Sequence, residues 1–150
     1  MDRLVVNPGR KHLERLKELA NLINTLKMQM QMTEAMLTDT AVHYKDIQVQ
    51  TSGAKDLIGE KAPEVVELQI QCDEYIRELT KEQTTTLLII KSMNLRHQEL
   101  IILHFMQNKT IEATAEEMEK SYTWTWTELQ KAIDEFEEKF QKKEKVYRSV

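Results

Sequence analysis

The stretch Leu95–Ser121, LRHQELIILHFMQNKTIEATAEEMEKS, decides how the rest of the chain is read. Leu95, Leu100, Ile101, Leu103, His104 and Met106 crowd into about three helical turns, which Gln107-Asn108 bring to an end. Thr110 then stands as an N-cap for a short helix carrying Ile111, Ala115 and Met118, because its hydroxyl can accept from an orphan amide of the first turn. Ser121 repeats the signal ahead of a last helix with Trp126, Leu129, Ile133, Phe136 and Phe140 on one stripe. Three helices with tight turns between them make a tri-helical helix-turn-helix plan over residues 94–150.

The start of the last helix carries a competing signal. In SYTWTWTELQ (121–130) Thr and Trp alternate with a period of two, and both residue types favour strands. No partner strand is visible, a capping Ser precedes the run and a 3.6-residue stripe follows it, so the helical reading prevails. At 100° per residue Trp126 shares the stripe of Leu129 and Ile133 and is expected in the core. Trp124 falls on the far side, beside Thr127, Glu128 and Lys131, and is expected to face outward.

Upstream, Leu16, Leu19, Ile23, Leu26, Met30, Thr33 and Leu37 recur at alternating spacings of three and four, the pattern of a helix packed along one seam. Val65, Leu68, Cys72, Tyr75, Leu79, Thr86, Ile89 and Met93 form a second such row after Pro63. Residues 39–63 hold two of the three glycines and show no sustained period, so they read as a connecting loop, with Pro63 opening the second helix. The fold class expected is therefore all-α: a long antiparallel, coiled-coil-like helical hairpin over 1–93, then the helix-turn-helix unit. A hairpin with an apolar face to spare also invites homo-oligomerisation.

Composition narrows the function. Three Gly and two Pro in 150 residues leave too few breakers for a sheet protein. The single Cys72 excludes an internal disulfide and a multi-cysteine zinc site, and fits a reducing, cytoplasmic setting. No apolar run approaches the ~20 residues that span a bilayer, and no signal-peptide pattern opens the chain. His97 and His104 lie about two helical turns apart, roughly 10 Å, too far to share a metal unaided. There is no phosphate loop, nucleophile elbow or metal-ligand spacing, so neither an enzyme nor a cofactor is expected. The net charge is −4, from 12 basic and 14 acidic side chains in 1–93 and 9 and 11 in 94–150. Nucleic-acid binding would thus have to rely on local basic clusters.

The segment 95–121 resembles the C-terminal helix-turn-helix of sigma factors, region 4. Ala115 stands where two helices cross closely, Ser121 where the recognition helix is capped, and KAIDEF (131–136) is similar to the run that follows. With the hairpin and DIQVQTSGAKDLIGE before it, the whole arrangement resembles the RinA/ArpU-type late-gene regulators of phages and prophages of Gram-positive bacteria. Glu119, where a Gly often ends the middle helix, Thr114, where a larger aliphatic is usual, and the acidic Asp134, Glu135, Glu137 and Glu138 depart from that pattern. The resemblance implies a transcriptional activator in the host cytoplasm that binds double-stranded promoter or operator DNA and touches RNA polymerase. It places the helix after Ser121 in the major groove, with Thr123, Trp124, Thr127 and Lys131 nearest the bases and Ser121, Tyr122 and Gln130 flanking them. Arg96, Lys109 and Lys120 would hold phosphates. Two alternatives share the features: a protein-binding module using its acidic outer face on a basic partner, and a small-terminase-like DNA-recognition subunit of a packaging machine.

Overall fold

The computed structural model describes the backbone of residues 6–47 and 52–149, and the side chains of 6–38 and 63–144. Every element in that range is helical: α1 (Pro8–Ile47), α2 (Ser52–Ile90), α3 (Leu95–Ile101) continuing as a π-helical turn (Ile102–Met106), α4 (Ile111–Met118) and α5 (Tyr122–Ser149).

Where a loop was expected at 39–63, residues 39–47 and 52–63 are helical, 48–51 lie outside the described residues, and Pro63 lies inside α2 rather than at its start. Pro63 lacks the amide that would bond the carbonyl four residues back, at Gly59, where the residue itself adds no side chain. Low helix propensity at Gly53, Gly59 and Pro63 was outweighed by continuation of the flanking helices. The two helices run antiparallel: His12 meets Glu82 and Thr86, while Gln29 and Thr33, further along α1, face Pro63, Glu64, Glu67 and Leu68, earlier in α2.

The chain forms two compact units, residues 1–20 with 79–150 and residues 21–78. This corrects the expected division at residue 93. The ends of α1 and α2 belong with the tri-helical unit because Leu13, Leu16, Ile89, Ile90 and Met93 share one core with Leu100, Ile101, Phe105, Leu129, Ala132, Ile133 and Phe136. In the unit 21–78, Ile23, Leu37 and Cys72 are buried, as the two heptad-like rows require.

Local chemistry sets each turn of the larger unit. Asn94 caps α3 by accepting from the Arg96 amide at 2.9 Å. Thr110 accepts from the Ala113 amide at 3.0 Å and Ser121 from the Trp124 amide at 3.1 Å, the two caps expected from the sequence. Asn108 turns the chain with φ 55°, a conformation Asn tolerates, whereas Glu119 ends α4 at φ 58° without that excuse. Thr114 is fully buried and donates its hydroxyl to the Thr110 carbonyl at 2.8 Å.

The start of α1 is held by α5. Pro8 occupies the first helical position, where its missing amide costs nothing. The next two amides, of Gly9 and Arg10, donate to the two carboxylate oxygens of Glu137 at 2.7 and 3.2 Å. A carboxylate there also meets the positive end of the helix dipole. His12 follows one turn on, between Glu82 and Thr86, with its ring 5.9 and 5.3 Å from those of Phe136 and Phe140. Burial pushes its pKa below the usual value against the opposing pull of Glu82 and Glu144.

Candidate nucleic-acid interface

The N-terminal end of α5 is where the expected site residues can be compared with their positions. The buried stripe of this helix is Thr125, Leu129, Ala132, Ile133 and Phe136. Its centre lies between Thr125 and Leu129 rather than through Trp126, and Trp126 is 48% exposed. The expectation that Trp126 builds the core is therefore wrong: the larger apolar residue stays outside, and the structure buries the smaller Thr125. Thr125 can go inside because its hydroxyl donates to the Ser121 carbonyl at 2.8 Å, leaving a methyl for packing.

Trp124, expected to face outward, is half-buried under two cations. The Arg96 guanidinium and the Lys120 ammonium each lie 5.3 Å from its ring centroid. Arg96 comes from the first turn of α3 and Lys120 from the turn before α5, so the tryptophan ring ties three elements together. Neither cation has a carboxylate partner among the described residues. Ser121, Tyr122, Thr123 and Thr127 lie exposed on the same end of α5.

The remaining expected contacts are engaged elsewhere. Lys109 pairs with Glu117 at 3.5 Å, and Lys131 with Glu128 at 3.3 Å. The side chain of Gln130 accepts from Arg10 at 3.5 Å. The structure thus joins Arg96, Lys120, Trp124 and Ser121 in one cluster and leaves Lys109 outside it.

The acidic face of α5 is divided: Glu128, Glu135 and Glu137 are partly buried against the rest of the chain, whereas Asp134 and Glu138 stay exposed. Asp134 stands 3.7 Å from Arg10, and Glu137 caps α1. His97 sits between Glu135, at 2.7 Å from Nδ1, and Glu128, at 3.4 Å from Nε2. Desolvation pushes the Glu128 carboxyl upward, but hydrogen bonds and charge from Lys131 and His97 outweigh it and hold the group below the usual range.

Besides Arg10, held near Gln130 and Asp134, a second basic residue of α1 is structural. Lys17 donates to the His104 carbonyl and to Asn108 Oδ1, both at 3.0 Å, and its pKa is lowered by desolvation. His104 in turn contacts the Lys109 carbonyl through Nδ1 at 2.8 Å. Burial, reinforced by the nearby Lys17 charge, depresses its pKa despite that bond. The π-helical turn, closed by the Gln107 amide on the Ile102 carbonyl at 2.8 Å, brings these groups together. Sequence reasoning missed it, since a π turn carries no distinct residue pattern.

Among the described residues no His, Cys, Asp and Glu cluster suits a metal, and no helix is long and apolar enough to cross a membrane. No family model, curated protein or solved structure matches this chain.

Proposed function

We propose that the chain is a sequence-specific DNA-binding regulator that inserts the N-terminal end of α5 into the major groove. The observation that supports this reading is the pair of cations, Arg96 and Lys120, stacked on Trp124 beside the capped start of that helix. Guanidinium and ammonium groups fixed at a helix N-terminus suit two phosphates, and stacking on the ring limits the rotamer entropy lost on binding. Thr123 and Thr127 then face the base edges, with Lys131 one turn further on.

Engagement of Glu128 and Glu135 with His97 and Lys131 favours DNA over the acidic-face alternative, which needs those carboxylates free for a basic partner and is left with the exposed Asp134. The sigma-region-4 resemblance supplies the finer reading: activation of phage or prophage late genes in the bacterial cytoplasm, with RNA polymerase as a second partner and oligomerisation through the hairpin.

Selection from random duplex DNA tests the proposal. Wild type should enrich a defined sequence at moderate salt. The Arg96→Ala/Lys120→Ala variant should bind that duplex more weakly, with the slope of log K against log salt reduced by about 2, since each phosphate contact contributes ~0.9. If wild type enriches no sequence, the proposal is wrong.

A further inference from the structure

Trp126 and Tyr122 are one helical turn apart on α5 and are 48% and 49% exposed, so the helix carries an exposed aromatic patch on that side. At 100° per residue this patch lies on one flank of the exposed face made by Thr123 and Thr127, and Trp124 with its two cations lies on the opposite flank. An α-helix with its side chains is about 10–12 Å across, and the B-DNA major groove is about 12 Å wide. A helix entering that groove therefore presents its two flanks to the two groove walls.

Resting on the DNA-binding reading above, we infer that α5 divides the groove between its flanks: Arg96 and Lys120 hold the phosphates of one strand, and Trp126, supported by Tyr122, packs on a thymine methyl of the other. The occupant is argued from charge as well as shape. The cations across the helix lack carboxylate partners among the described residues, and α5 points its positive dipole end the same way. A half-exposed tryptophan on the flank opposite two cations without carboxylate partners among the described residues suits a polyanion whose groove floor carries apolar methyl groups. Base recognition by an aromatic flank gives Trp126 a role in specificity, where Trp124 serves to position cations.

The test uses the highest-affinity duplex recovered from the random pool, in its natural form and with thymine replaced by deoxyuracil throughout. Binding is measured by fluorescence anisotropy for wild type, Trp126→Ala, Trp126→Phe and Tyr122→Ala. Each variant is checked for an unchanged melting temperature, which exposure of both residues leads us to expect. Wild type should lose several-fold affinity on the deoxyuracil duplex. Trp126→Ala should lose about ten-fold on the thymine duplex and nothing further on deoxyuracil, and Trp126→Phe should recover part of the loss. Unchanged affinity of Trp126→Ala, or additive losses from the variant and the missing methyls, overturns the inference while leaving DNA binding intact. Absence of any selected sequence overturns both.

Discussion

Gly9→Ala is a sharp test of how α1 is seated on α5. A Cβ built at Gly9 meets Glu137 Oε2 at 2.7 Å, the Glu137 Cα at 2.9 Å and the Phe140 Cβ at 3.1 Å. The carboxylate could swing away, but the Cα is backbone, so the two helices must move apart. Overpacking of that kind costs about 1–3 kcal/mol. Separation also weakens two amide-to-carboxylate bonds, each worth roughly 1.5–3 kcal/mol when one partner is charged. Against this stands the better helix propensity of Ala, at most about 1 kcal/mol and less in a first turn. The balance is a net loss of about 2–3 kcal/mol. Urea unfolding followed by tryptophan fluorescence reports on this unit, because Trp124 and Trp126 both lie in it. With a slope of about 1–3 kcal/mol per molar, the midpoint should fall by about 1 M. Glu137→Ala separates the causes: it removes the cap and one close atom, yet Gly9→Ala should still destabilise that background through Cα and Phe140. A Gly9→Ala variant as stable as wild type, or more so, would refute the close approach and leave only helix propensity at work.

Two further outcomes follow from single residues. Glu119 ends α4 in the left-handed region at a strain of roughly 1 kcal/mol, so Glu119→Gly should raise the melting temperature by about 2–4 °C in calorimetry. His12 and His104 both have folded pKa values below their ordinary 6.5, through burial and, for His104, the Lys17 charge. The unfolded chain therefore binds more protons in that window, and their contribution to stability is complete above pH 6.5 and lost as pH falls through the folded values. Denaturation midpoints should drop between pH 7 and 5, with a shallower fall in His104→Gln. Glu128, held below 4.5, adds a separate loss under still more acidic conditions.

What was legible in the sequence was whatever had a local cause. The caps at Thr110 and Ser121 and the apolar rows Leu16–Leu37 and Val65–Met93 are written in residue type and spacing. The helical course of 39–47 and 52–63 is not legible because Gly and Pro weigh against helix one residue at a time, while continuation of two long helices is a collective effect. The boundary at 93 failed for a related reason. A heptad row shows that α1 and α2 have a buried face but not which stretch of it meets Phe136 rather than the other arm. The exchange of roles between Trp124 and Trp126 depended on Arg96 and Lys120, which the sequence places 28 and 4 residues before Trp124 with no sign that they meet over its ring.

A net charge of −4 weighs against DNA only if the acids face it, and screening confines each charge to about 8 Å at physiological salt. Between residues 128 and 138 of α5, Glu128 and Glu135 enclose His97, Asp134 approaches Arg10, Glu137 caps α1 and Glu138 pairs with Lys142. The Asp134 and Glu138 pairs are exposed and weak, so their fields are only partly cancelled. Both lie beyond the first three turns of α5, however, and ~1.5 Å of rise per residue puts Asp134 roughly 18 Å from the Tyr122 end of the helix. That separation exceeds the screening length about two-fold. A phosphate at the tip of α5 therefore senses Arg96, Lys120 and the helix dipole ahead of the acids further along. The same carboxylates that make α5 look hostile to DNA in sequence hold α1 and α3 against it, in the arrangement that brings Arg96 and Lys120 to its tip.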